Sequence, residues 1–309
     1  MVARVETQDK ANIGQVVEIE SAAHALAERL PELMLEAARI SHTVIHGVHG
    51  RRRAGPGETF WQFRQYEPND SAGLIDWRRT ASASHVYIRE REWEAAHTIW
   101  LWPDLSASMQ FQSSLAPESK RDRALVLMLA AAELLVRGGE RVGLLGLPED
   151  PTASRRATAR LAEAILSHSE NSALTSGLPP PARIGRFSGA VLISDFLDPL
   201  EDIGEALKHL AGADISGHLI QVLDPIEESL AFEGRIEFID PERELNWTGD
   251  RVENLREEYQ KRLQEHRDGL RDLANRLGWS LLVHHTDRPA TEPMLNLITR
   301  LQDGGRHPV

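Results

Sequence analysis

The sequence predicts an α/β protein: a doubly wound, mostly parallel sheet, preceded by an N-terminal helical segment and a small β-subdomain. Three observations carry this expectation. From residue 98 onward, short unbroken apolar runs alternate with helical patterns, the signature of strands buried on both faces. Before them, residues 16–47 repeat apolar side chains at steps of three and four, which is one face of a helix. Between the two, residues 58–98 alternate aromatic or β-branched residues with polar ones, the period of a half-buried strand. The expected divisions are 1–50, 51–97 and 98–309.

The first segment presents Leu26, Leu30, Met34, Ala37, Ile40 and Val44 on its apolar stripe, and Pro31 is expected to divide it into two helices. A basic, glycine-rich connector follows. The β-subdomain is read from ETFWQFRQY and SHVYIRERE, with a turn signal at Glu67-Pro68-Asn69-Asp70 between them. The α/β part then places strands at 98–102, 141–145, 190–195, 218–223 and 279–283. A helix begins at the Ser119/Asp122 cap and ends at Gly138-Gly139; further helices cover 157–168, 200–211 and a short segment after Pro289. Residues 169–188 read as a loop. Between the last two strands, at about 226–278, sit a hairpin and a long helix. The stripe of that helix contains Tyr259 and His266 and is narrow, which favours a docked helix over a coiled coil.

Composition narrows the function classes. The 309 residues are 41% hydrophobic and 27% charged, ordinary for a globular chain. Cysteine is absent, so disulfides and thiolate zinc sites are excluded. A net charge of −12 argues against broad nucleic-acid binding. The N-terminus lacks the apolar stretch of a signal peptide, and the longest apolar run, Leu125 to Val136, is interrupted by Glu133 and too short to span a membrane, so the expected location is cytoplasmic. The stretch 50–93 is arginine-rich, yet eight arginines face six acids, a net of +2, as on a salt-bridged β surface. The Arg51–Arg53 cluster is the part expected to meet an acidic partner.

Chemistry concentrates at Asp104-Leu105-Ser106-Ala107-Ser108, directly after the first strand of the sheet. In open α/β sheets, ligands bind beyond the carboxyl ends of the strands, where the strand order reverses. In the common order, the loops after the first and fourth strands meet there, which joins Asp104, Ser106 and Ser108 to Asp195. That order requires a further short strand near 148–158. Mg²⁺ or Mn²⁺ prefers hard oxygens and keeps several waters. The two serine hydroxyls are expected to bind directly and Asp104 and Asp195 through water, leaving a position for a partner's carboxylate. A capping turn without metal accounts for the same residues. Pro103 lacks a ladder donor, so the strand is expected to stop at Trp102.

The arrangement resembles a prokaryotic family, the domain of unknown function 58. The resemblance rests on Gly55-Pro56-Gly57-Glu58-Thr59-Phe60, Arg64-Gln65-Tyr66-Glu67-Pro68-Asn69-Asp70, Leu74-Ile75-Asp76-Trp77, Val86-Tyr87-Ile88-Arg89-Glu90, Asp104 to Met109 and Gly139-Glu140-Arg141-Val142-Gly143-Leu144. With the later hairpin, long helix and last strand it covers about 250 residues. It implies a von Willebrand factor A-like fold with a metal-ion-dependent adhesion site at Asp104, Ser106, Ser108 and Asp195. It also implies work as an adaptor or co-chaperone beside a MoxR-type AAA+ ATPase, acting on a carboxylate-bearing client. Thr152 and Thr158 are the candidates for the threonine that often completes such a site. Ser82 stands where the family commonly has arginine.

Other readings are weaker. His42, His46 and His49 lie on one side of a helix end, but glycines interrupt the helix there and no carboxylate orients the rings for zinc. A Mg²⁺-dependent hydrolase or phosphatase is the alternative class. Against it stands the absence of a Walker loop, a Gly-x-Ser-x-Gly elbow and a His-Glu-x-x-His motif.

Overall fold

The computed structural model describes residues 8–48, 60–66, 75–81, 83, 85–91, 97–168, 171–185, 188–211, 215–232, 234–240 and 245–304. The chain forms two compact units, residues 51–96 and residues 1–50 with 97–309. The expected turn at Glu67–Asp70, the Arg51–Arg53 cluster, His49 and Ser82 lie outside the described residues.

The larger unit begins with α1 (Gln8–Val48). Contrary to expectation, the helix runs through Pro31 without dividing. Proline removes only its own N–H bond and crowds one carbonyl, while Leu26, Leu30, Leu33, Ala37, Ile40 and Val44 are all buried around it. A continuous buried stripe on both sides of the proline outweighs a local break.

In the small unit, β1 (Phe60–Gln65) pairs antiparallel with β2 (Tyr87–Arg91). Between them lies α2 (Trp77–Thr80), a single turn that alternation could not reveal; Asp76 caps it by accepting from Arg79 N–H. Ile88 is buried and the Arg79 guanidinium sits 5.9 Å from the centre of the Tyr87 ring.

The rest of the larger unit is the α/β sheet. In chain order it contains β3 (Thr98–Pro103), α3 (Lys120–Arg137), β4 (Arg141–Leu144), α4 (Ala157–Ser167) and α5 (Ser172–Thr175). There follow β5 (Ser188–Ser194), α6 (Leu200–Leu210), β6 (Ser216–Leu223) and α7 (Pro225–Ser229). The chain continues with the hairpin β7 (Ile236–Asp240) and β8 (Leu245–Gly249), then α8 (Arg256–Arg276), β9 (Ser280–His285) and α9 (Thr291–Gly304). Five of the strands form one parallel sheet in the order β4-β3-β5-β6-β9. An isolated antiparallel bridge joins Val142 to Thr152 beside β4, inside the region where a short extra strand was expected.

Helices cover both faces. The adjacent His284 and His285 must point to opposite sides of the sheet. The charge of Arg123, on α3, acts on His284, whereas His285 pairs with Glu228 beside Arg267 of α8. Helix α3 carries α1 and α9 on its face, and α6 packs with α8 on the other. Helix α8 is a docked helix: Leu263, Leu270 and Ala274 are buried, Tyr259 donates to the Glu227 carbonyl at 2.5 Å, and His266 Nε2 donates to the Phe196 carbonyl at 2.7 Å.

His284 gives a measurable pH dependence. Burial first, and then the nearby Arg123 charge, push its pKa from 6.5 down to about 3. The unfolded chain therefore takes a proton at a pH where the fold does not. The stabilising contribution is present above the unfolded pKa and is lost as pH falls toward the folded one. Between about pH 7.5 and 5.0, His284→Gln should reduce the acid-induced loss of unfolding free energy by about 2 kcal/mol. Urea titrations at the two pH values measure this; equal losses in both proteins would mean that the fold admits a charged His284.

Candidate metal centre

The candidate residues meet because β3 and β5 are neighbours. Their register runs from Thr98–Ser188 to Pro103–Ile193, and the Asp104 N–H continues it by donating to the Ile193 carbonyl at 2.8 Å. Pro103 is thus inside the strand, not beyond its end as expected. The reason is one-sided pairing: the ladder to β4 ends at Leu101–Leu144, while pairing to β5 continues. Successive backbone donors face opposite neighbours. Asp104 N–H points to β5, so the donor that Pro103 lacks would have faced the side where the ladder is already over.

Asp104 is fully buried. Its Oδ1 accepts from the Ser106 N–H at 2.8 Å, which forms the turn, and its Oδ2 accepts from the Ser194 hydroxyl at 2.6 Å. Strand β5 therefore holds the carboxylate through the residue just before Asp195. The Ser106 and Ser108 hydroxyls are hydrogen-bonded to each other, with their oxygens 3.1 Å apart. Asp195, 4% exposed, accepts from Leu197 N–H at 3.2 Å, and its other oxygen receives the Lys120 ammonium at 2.8 Å. Lys120 also donates to Glu227 at 2.6 Å.

The network continues to the end of β6. Glu227 accepts from the Asp224 N–H at 2.9 Å and closes a capping box on α7. Asp224 accepts from the backbone N–H of Ser113 at 2.8 Å and from its hydroxyl at 2.5 Å. Groups from the carboxyl ends of β3, β5 and β6 thus share one lip of the sheet, the place ligands occupy in such folds. Phe196 adopts φ 49° in the Asp195 turn, a conformation costly for a non-glycine residue. It is buried, its N–H donates to the Ser194 hydroxyl at 3.1 Å, and its carbonyl is held by His266.

Burial first, and next the charge of Asp195, raise the Asp104 carboxyl to about 6, against the hydrogen bonds that favour its ionised form. Burial also opposes the Lys120 ammonium, but the Asp195 and Glu227 carboxylates outweigh it and hold its pKa above that of an ordinary lysine. Lys120, Glu227 and Ser194 were not foreseen. A signal existed for Lys120: this arginine-rich chain has only four lysines, and one of them stands at the first helical position after a serine cap.

The threonine expectation also changes. Thr152 pairs with Val142 near the start of β4, away from the lip, and Thr158 lies in the first turn of α4. The Leu105 N–H donates to Leu174 O at 2.7 Å, and Trp102 Nε1 donates to Ala173 O at 2.7 Å. Helix α5, read as loop from the sequence, is thereby clamped to β3 and the Asp104 loop through its Ala173 and Leu174 carbonyls, while the Thr175 hydroxyl donates to the Asn171 carbonyl at 3.3 Å.

These residues fit a hard divalent ion in one definite respect. With ligand distances near 2.1 Å, adjacent corners of an octahedron are about 3 Å apart, the spacing of the two hydroxyls. Among the described residues no group of three His, Cys, Asp or Glu is placed to hold a metal, so any centre here depends on hydroxyl oxygens. Both Asp104 oxygens already accept hydrogen bonds, which suits attachment through water better than direct ligation.

Residues 62–269, more than half the chain, match the family described as "Protein of unknown function DUF58". The chain belongs to the DUF58 family. Its relatives include the uncharacterized protein Rv1480 of Mycobacterium tuberculosis (strain ATCC 25618 / H37Rv), 28% identical over 280 residues, covering 85% of this chain and 86% of the relative. The uncharacterized protein Mb1516 of Mycobacterium bovis matches with the same figures. Two solved structures show a remote likeness to this DUF58 chain. One is the conserved hypothetical protein BatB from Bacteroides thetaiotaomicron (17% identity, TM-score 0.35, 67% of this chain and all of that one). The other is an aerotolerance-related membrane protein from Bacteroides fragilis (15%, TM-score 0.38, 66% of this chain and all of that one). Likeness at this level has no bearing on function. Among the described residues no helix is long and apolar enough to cross a membrane.

Proposed function

We propose that this chain is a metal-dependent protein-binding adaptor with a von Willebrand factor A-like sheet. In this reading Ser106 and Ser108 hold Mg²⁺ or Mn²⁺ directly, and Asp104 and Asp195 through water. The observation that carries it is the hydroxyl pair 3.1 Å apart, beside a carboxylate tied to the neighbouring strand. The strand order, extended by the antiparallel bridge at Thr152, supports the fold assignment. When bound, the ion would supply a positive contact for the carboxylate of a client protein. The chain's own residues set the hydroxyl spacing and keep the lip negative. The MoxR-type AAA+ ATPase is the proposed associate on the strength of the sequence resemblance.

The test is capture of a purified MoxR-type ATPase, and of client proteins, by the immobilised full chain in Mg²⁺ or in chelator. Client capture should require Mg²⁺, and Ser106→Ala should lower it to the level seen with chelator. Equal client capture under all conditions would remove the metal from the function.

A further inference from the structure

Lys120 stands where two rules of stability disfavour it. It occupies the first position of α3, at the positive end of the helix dipole, where cations are destabilising. Its side chain is 1% exposed, and burying an ammonium is costly unless carboxylates surround it. What it finds there are Asp195 at 2.8 Å and Glu227 at 2.6 Å, with the Phe111 ring centre 5.9 Å away. A lysine held against both the helix dipole and its own hydration reflects the needs of those carboxylates, not of the helix.

From this placement we infer that Lys120 is a resident counter-cation of the lip, which a divalent ion must displace from Asp195 in order to bind. The inference rests on the metal reading above. A divalent ion at Ser106 and Ser108 needs the negative charge of Asp195, and it repels an ammonium sharing that carboxylate. Glu227 offers the ammonium a second position already within hydrogen-bond distance, so displacement requires a shift of partners and not exposure to water. Glu227 is fixed in turn by Asp224, which holds Ser113. Loading of the ion is thereby linked to the segment after Ser108, where Phe111 (38%) and Leu115 (51%) are exposed.

Mn²⁺ binding to the full-length chain, followed by electron paramagnetic resonance and calorimetry, tests this. Lys120→Met should bind Mn²⁺ at least about tenfold more tightly than the parent, and Lys120→Arg, which keeps the charge, should not. Glu227→Gln keeps the capping-box acceptor but removes the alternative home of the ammonium, and should weaken Mn²⁺ binding by about threefold or more. Glu228→Gln, which alters a neighbouring charge that pairs with Arg267 and His285, should leave it unchanged. Equal affinity in the parent and Lys120→Met, lost in both on Ser106→Ala, would overturn the counter-cation while leaving the metal centre intact. If none of the folded proteins binds Mn²⁺, the centre and the counter-cation fall together. Should Lys120→Met not fold, Glu227→Gln decides: weaker binding supports the displacement, and unchanged or tighter binding overturns it.

Discussion

Gly217→Ala should destabilise the protein by roughly 3 kcal/mol or more, at the upper end of the cost of overpacking a core. A β-carbon at Gly217 would lie 1.9 Å, 2.2 Å and 2.3 Å from three atoms of the Trp279 indole. The indole cannot retreat easily, because Trp279 is 3% exposed and its Nε1 donates to the Ile215 carbonyl at 3.1 Å. This contact sits at the foot of β6, next to β9, and so fixes the strand whose other end carries Asp224. Urea unfolding of Gly217→Ala, Trp279→Leu and the double variant checks the mechanism. The losses should be non-additive, with the double variant more stable than the sum predicts by at least about 1 kcal/mol. Additive losses would place the strain somewhere other than the indole.

The sheet was legible because its central strands β5 and β6 are buried on both faces and appear as nearly unbroken apolar runs, while β9 at the edge, only partly buried, still keeps a short apolar run. The Asp104 loop and Asp195 were legible for a related reason: polar residues that end such runs sit on the lip. Periodicity is blind to what opposes its own averages. Pro31 reads as a break when the buried stripe around it is not weighed. Helix α5 is a single turn inside a proline- and glycine-rich stretch, so neither length nor period marks it, and neither announces its clamp on the Asp104 loop. Lys120 reads as a surface charge because its partners come from the turn after β5 and from α7, far away in sequence. The positive φ of Phe196 has no sequence signal at all, since glycine or asparagine would be expected there.

Asp104→Asn should stabilise the metal-free protein and at the same time abolish its response to Mg²⁺. The folded-state pKa of Asp104 is raised from 3.8 to about 6, so the metal-free fold prefers the protonated carboxyl. That preference stabilises the fold fully below the unfolded pKa and is lost as pH rises through the folded one. By about pH 7.5 the ionised carboxylate costs the fold up to roughly 3 kcal/mol. Asparagine keeps the shape and removes the charge. Its oxygen can still accept from the Ser106 N–H, and its amide can donate to the Ser194 hydroxyl, which has an acceptor lone pair to spare. A gain of about 2 kcal/mol is expected near neutral pH, shrinking to nothing by about pH 4. Thermal unfolding with and without Mg²⁺ gives the second half: the parent's midpoint should rise with the ion, and the variant's should not. If Asp104→Asn is instead less stable at neutral pH, the carboxylate is already satisfied by its own hydrogen bonds and has no need of an ion. A buried charge that weakens the empty fold and strengthens the loaded one is what separates a binding site from a turn that merely caps a strand.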